Sequence, residues 1–118
     1  MVLIDDFSTS TADSLAGMMQ DSGRALLYGM RSNGAGGNNT SFDAGTYSES
    51  LAGMTLALQV RKDFMSFDGF PDTQYIENVG VRPQVVNDYM TRENLLNRGA
   101  TFVSQFLQAM AEYIRQQQ

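Results

Sequence analysis

The stretch VLIDDFSTSTADSLAGMMQDSGRALLY, Val2 to Tyr28, decides the fold. Val2-Leu3-Ile4 is a short apolar run closed by Asp5 and Asp6, the pattern of a strand buried in a parallel sheet. Thr11 to Ser22 carries Leu15, Met18, Met19 and Ser22 at helical spacing. Ala12, Ala16 and Gly17 are small enough to let that helix pack closely. Gly23 is placed to end it. Arg24 to Tyr28 then reads as a second strand. Strand, helix and strand within roughly 30 residues form a right-handed βαβ unit with parallel strands. The expected class is α/β.

The junction of strand and helix holds four hydroxyl side chains, Ser8, Thr9, Ser10 and Thr11. Ser10-Thr11-Ala12-Asp13 fits a helix-capping pattern, with Asp13 standing for the usual Glu. The same place is the carboxyl edge of a parallel strand, where α/β sheets set their ligands. A helix start offers unpaired N–H groups and positive partial charge. Were Ser10 to attack a carbonyl, the Thr11 N–H would be the nearest oxyanion donor. The G-x-S-x-G elbow is absent, so an α/β-hydrolase is not supported.

Further along, Met30 to Thr46 reads as a long loop rich in Gly, Asn and Ser. Its Ser32–Asn38 segment is glycine-rich, but no GK[ST] follows, so a P-loop is not supported. It is either a flexible turn or a place where the backbone approaches a substrate chain closely. Met54, Leu56, Leu58 and Val60 alternate with polar or small residues, which predicts a strand with one buried face. Asp68-Gly69 signals a turn, Gln74 to Glu77 a short return strand, and Val81-Arg82-Pro83 an exit from the sheet. Thr91 should cap a helix over Arg92 to Asn97 that stops near Gly99. Thr101 to Gln117 should be a longer helix with Phe102, Phe106, Met110, Tyr113 and Ile114 on its apolar face.

Composition narrows the chemistry. The 118 residues suit one domain or part of one, and 42% hydrophobic content is enough for a core. A net charge of −5 argues against a nucleic-acid surface, which needs clustered cations. With no Cys and no His, thiol chemistry, Cys-ligated zinc and an imidazole base are all excluded within this chain. Lys62 is the only lysine. No apolar run reaches the ~18 residues of a membrane span, and no signal peptide is visible. No cofactor and no metal are implied.

Phe7 to Asp13, Met19-Gln20-Asp21-Ser22-Gly23-Arg24-Ala25-Leu26, Gly29, Ser32-Asn33-Gly34-Ala35-Gly36 and Tyr75 to Pro83 together resemble segments of the S41 serine peptidases. That family includes the tail-specific or C-terminal processing proteases, the tricorn core protease and the chlamydial protease-like activity factor. The segments run in the order of the family's S-A-S-A-S-E, Q-D-x-G-R-A, G-x-x-T-x-G and I-E-x-x-G-V-x-P-D segments. The resemblance implies a ClpP/crotonase-like α/β fold, of which this chain is an incomplete portion with a βαβ unit and C-terminal helices. It implies Ser10 as nucleophile, Thr11 as an oxyanion-hole N–H, Gly34, Ala35 and Gly36 as a loop bordering the substrate cleft, and Glu77 as the carboxylate behind a histidine. Where tail-specific members carry a lysine base, this chain has Ala35. Pro83 is followed by Gln84 where the family has Asp.

On this reading residues 1–118 are the C-terminal part of a single peptidase catalytic domain, with the base outside this chain, or a relative that has lost catalysis. The substrate is a polypeptide. The partner is the upstream part of the domain or another chain, with a homo-oligomer expected. The resemblance implies an exported or periplasmic location. Two other classes stay open, a non-catalytic ligand-binding module on the same fold and an assembly module docking through the helix Thr101 to Gln117.

Overall fold

The computed structural model describes residues 1–47, 49–67 and 69–117. Asp68, half of the Asp68-Gly69 turn, and Gln118 of the glutamine tail lie outside the described residues. The order is β1 (Val2–Ile4), α1 (Thr11–Asp21), β2 (Leu27–Gly29), β3 (Asn38–Asp43), β4 (Leu51–Ala57), β5 (Val60–Phe67), β6 (Phe70–Tyr75), β7 (Val85–Val86), α2 (Arg92–Leu96) and α3 (Ala100–Gln116).

The βαβ unit forms as its pattern predicts. β1 and β2 pair in parallel, Val2 to Leu27 and Ile4 to Gly29, and β7 adds in parallel on the other side of β2. The second strand starts later than Arg24. Gly23 takes a left-handed φ of 65° to leave the helix, and Arg24 and Ala25 are spent closing the helix end through hydrogen bonds to the Met19 carbonyl. Gly29 has φ 122°, and a Cβ there would run into the Ile4 carbonyl oxygen. This glycine lets the two strands approach while Met30 N–H bonds the same oxygen at 2.9 Å.

α1 faces the core with a different stripe from the one its apolar residues suggest. Asp13, Ala16 and Gly17 are buried, whereas Leu15 and Met18 are 43% and 62% exposed. Small residues win because the neighbours come close. A Cβ on Gly17 would sit 3.2 Å from Ile76 Cδ1 and 3.3 Å from Arg61 Cδ. The core that results is small: Ile4, Ala16, Leu27, Met65, Ile76 and Val81.

Two hairpins stand apart from the parallel sheet, β3–β4 and β5–β6, both antiparallel. The Met30 to Thr46 segment is therefore not one loop, since β3 lies inside it. The NNTSFD sequence carries no apolar alternation, and the strand exists by pairing with β4. The period-2 pattern at Met54 and Leu56 is real, but its face is uncovered. Together with Phe42, across the register from Ala52, these side chains are about half or more exposed. The alternating run is also two strands rather than one, breaking at Leu58-Gln59. The return strand is β6, earlier than Gln74 to Glu77, so that Glu77 falls after the sheet. Val81-Arg82-Pro83 leaves the hairpin as expected, and the chain then rejoins the parallel sheet at β7.

α2 is capped by Thr91 Oγ1, which accepts from Asn94 N–H at 3.2 Å. α3 packs through aromatic edges. Tyr28 of β2 meets Phe102 and Phe106 with ring centroids 5.6 and 5.5 Å apart. Among the described residues no helix is long and apolar enough to cross a membrane. The radius of gyration is 17.5 Å, against about 13.5 Å for a compact domain of this length.

One ion pair ties α1 to β5. The guanidinium of buried Arg61 donates to both carboxylate oxygens of Asp21, at 2.9 and 2.6 Å. Its hydrogen bonding holds the Asp21 carboxyl below the ordinary Asp value of 3.8, outweighing burial. A native pKa below the unfolded one gives stability that is whole above that ordinary value and lost as pH falls through the native one. The melting-midpoint gap between the natural chain and Asp21→Asn should therefore close on acidification below about pH 4. A gap that stays constant from about pH 7 to about pH 2 would contradict this.

Candidate active site

The site is built where β1 hands over to α1. Ser8 is held from outside, its carbonyl accepting from Asn33 N–H at 2.9 Å. The chain then turns sharply at Ser10, with φ 59° and ψ −115°. A non-glycine residue held in such a region costs about 1–3 kcal/mol and persists only where its surroundings fix it. A strained strand-to-helix turn is also what lifts a nucleophilic serine above a sheet. The geometry is present here without the G-x-S-x-G sequence.

Ser10 is exposed. Of the two halves of the capping box, the one that closes a hydrogen bond is the Asp13 half, with Ser10 N–H donating to Asp13 Oδ2 at 2.9 Å. The Ser10 hydroxyl approaches the third helical residue without a side-chain cap bond. Thr11 N–H, at the first position of α1, has no hydrogen-bond partner among the described residues. Ser10 and Thr11 both line a cleft of about 440 Å³. Ala35, Gly36 and Gly37 form one wall, with Ser14, Asn38 and Gln59 also lining it.

The glycine loop is fixed from two sides. Asp13, fully buried, accepts from Ser32 Oγ, from Gly34 N–H at 2.9 Å and from Ala35 N–H at 3.0 Å, besides Ser10 N–H. Ser32 Oγ in turn accepts from Val81 N–H at 2.7 Å. From the other side, Gly34 carbonyl accepts from Asn78 N–H at 2.7 Å, and Arg31 reaches Val79 carbonyl at 2.8 Å. Gly34 itself has φ 91°, and a Cβ would meet Gly80 N at 2.7 Å and Val79 N at 2.8 Å. Backbone cannot yield there. Gly34→Ala should cost about 2 kcal/mol or more, a fall of roughly 5–10 °C in melting midpoint. A fall of under about 2 °C would show that the loop is free to move.

Glu77 stands behind the same wall. Its Oε2 accepts from Gly37 N–H at 2.7 Å, and the residue is half-buried. The structure thus brings Ser10, Thr11, the Gly34–Gly36 loop and Glu77 to one edge of the molecule. It keeps Lys62 away. Lys62 N–H bonds Asp21, at the far end of an 11-residue helix, about 15 Å along the axis from Ser10. Sequence reasoning took Asp13 for a helix cap and missed it as the point where loop and helix meet. The only available signal was the same S-x-x-D spacing.

The profile of peptidase family S41 matches residues 1–87. The chain belongs to peptidase family S41. This S41 chain is similar to solved structures of mature CPAF, the chlamydial protease-like activity factor. One is 28% identical with a TM-score of 0.69, covering 86% of this chain and 18% of the other. A second, mature CPAF complexed with lactacystin, is 27% identical with a TM-score of 0.69, covering 98% and 20%. The S41 chain spans about a fifth of the length of these solved relatives. Comparison with curated proteins gives no match. The α/β fold is that of the S41 relatives, and the family is one of serine peptidases.

Proposed function

We propose that this chain is the nucleophile-bearing, C-terminal part of the catalytic domain of a serine endopeptidase acting on polypeptides. The observation that carries the reading is the strained Ser10 turn, which presents an exposed hydroxyl beside a Thr11 N–H that has no partner among the described residues. Ser10 attacks the scissile carbonyl, and Thr11 N–H takes part of the charge on the oxyanion. A histidine from outside these residues is the base, with the Glu77 carboxylate orienting it. Gly34, Ala35 and Gly36 shape the wall along which the substrate backbone lies. A serine without a base is a weak nucleophile, so the isolated chain is nearly inactive. The test is labelling by a fluorophosphonate probe, first on the isolated chain and then on the full polypeptide that carries it. Labelling of Ser10 only in the latter supports the reading. A folded, full polypeptide that stays unlabelled overturns it.

The partner is the rest of that domain or a further copy of the chain. Phe42, Met54 and Leu56 on β3–β4, and Leu15 and Met18 on α1, are left uncovered. Apolar faces of this extent on an isolated chain drive association. Leu56→Lys should lower the associated fraction of the isolated chain several-fold in sedimentation velocity. A monomeric natural chain would count against a partner at this face.

A further inference from the structure

The helix-cap role of Asp13 accounts for one of its four hydrogen bonds. The other three come from Ser32, Gly34 and Ala35, which lie 19, 21 and 22 residues away. The side chain is wholly out of solvent. A buried carboxylate is tolerated when donors surround it, and here each oxygen takes two. Oδ1 serves Ser32 and Gly34, while Oδ2 serves Ser10 and Ala35. Ser32 carries the network onward to Val81 N–H, in the segment that also bears Glu77. Three elements are thereby locked to one carboxyl group: the Ser10 turn, the glycine loop that walls the cleft, and the strand exit behind it.

We propose that Asp13 is a positioning residue for the reaction at Ser10. It holds the strained Ser10 backbone and the Ala35 wall at a fixed separation, and so aims the hydroxyl and Thr11 N–H at the same point in the cleft. The inference rests on Ser10 being the nucleophile. Asp13 does not touch the substrate. It acts through Ser10 N–H and the loop amides. Three of its donors are backbone N–H groups, which cannot reverse direction. An amide in its place must turn its NH₂ toward one oxygen's pair of donors, and each pair contains at least one backbone N–H. Asp13→Asn therefore breaks the network although its size is unchanged. Asp13→Glu keeps every acceptor and adds one methylene.

The experiment measures saturable inactivation of the full polypeptide by a fluorophosphonate probe, together with ¹H–¹⁵N spectra of the isolated chain. Asp13→Asn should lower kinact by about 10–100-fold with KI within about twofold, because misplacement by an ångström is felt in the transition state rather than in probe binding. Asp13→Glu should recover part of that loss, since it keeps the acceptors but adds a methylene to a wholly buried site. In the spectra, the Ser10, Gly34 and Ala35 amides should move upfield in Asp13→Asn while those of β1 and β2 stay. If Asp13→Asn fails to fold, Ser32→Ala removes one donor and the link to Val81, and kinact should fall about 3–10-fold. An unchanged kinact in either folded variant overturns the proposal. A natural polypeptide that is not labelled at Ser10 sinks the serine-peptidase reading instead. The amide spectra then decide on Asp13 alone, unshifted resonances in Asp13→Asn overturning its hold on the loop.

Discussion

Ser10→Ala should abolish fluorophosphonate labelling and peptide hydrolysis by the full polypeptide, a loss of about 10⁴-fold or more, because no second nucleophile replaces a missing serine. The fold should barely notice. The Ser10 hydroxyl makes only the loose approach to Asp13 N–H of the capping box, so its removal should cost no more than about 1 kcal/mol. The backbone bond from Ser10 N–H to Asp13 survives, since it does not involve the side chain. A companion variant separates reactivity from strain. Ser10→Gly relieves a φ of 59° and should raise the melting midpoint by a few degrees, on the order of 1 kcal/mol, while labelling is equally lost. Strain that is costly to folding and kept at a reactive position is what a functional turn predicts. Labelling that survives in Ser10→Ala would move the nucleophile elsewhere. A Ser10→Gly protein no more stable than the natural one would remove the argument from strain.

The parts of the fold that the sequence announced are those whose information is local. β1, α1 and β2 declare themselves through an apolar run, a helical period and a glycine exit, and they pair in the parallel register that a βαβ unit requires. Thr91 as a cap and α3 as an amphipathic helix are equally local. What escaped depends on residues distant in the chain. β3 has no strand signal of its own and forms because β4 lies opposite. The buried stripe of α1 is set by how closely Arg61 and Ile76 approach Gly17, not by where Leu15 and Met18 fall. The alternation of Met54 and Leu56 correctly marks a strand, yet no part of this chain's own core covers that face among the described residues.

The candidate site divides in the same way. Ser10 and the glycine loop could be picked out because turn and cap chemistry ties residue type to backbone geometry. Glu77 was reached only by resemblance, and its nearness to the loop became visible in the bond from Gly37 N–H. Asp13 was in plain view as a cap, but its bonds to residues more than 18 positions away leave no trace in spacing. A hydroxyl donor and two glycine-loop amides are interchangeable in sequence with any other polar loop. Only the folded chain shows that one buried carboxylate collects them.

Glu77→Gln carries the second large effect. Glu77 Oε2 is occupied by Gly37 N–H at 2.7 Å, and no hydrogen bond engages Oε1 among the described residues. One oxygen thus anchors the side chain to the cleft wall and leaves the other for a partner. If that partner is the N–H of an imidazole, the carboxylate fixes the tautomer and steadies the imidazolium that forms as Ser10 gives up its proton. Glutamine can keep the Gly37 bond only by placing its carbonyl oxygen there, which turns its NH₂ toward the imidazole. Two donors then face each other unless the ring takes the other tautomer, which puts its proton on the nitrogen that must accept the one from Ser10. The expected result is a fall in kcat of about 10²–10⁴-fold with KM nearly unchanged, and a melting midpoint within a few degrees of the natural protein. The alternative makes the opposite prediction. A Glu77 that serves only to pin Gly37 would leave kcat intact in Glu77→Gln, since the amide oxygen still accepts that N–H. It would show its worth instead as a lost midpoint in Glu77→Ala, where the Gly37 N–H has no acceptor. Measuring kcat and melting for both variants therefore assigns Glu77 either to the base or to the loop.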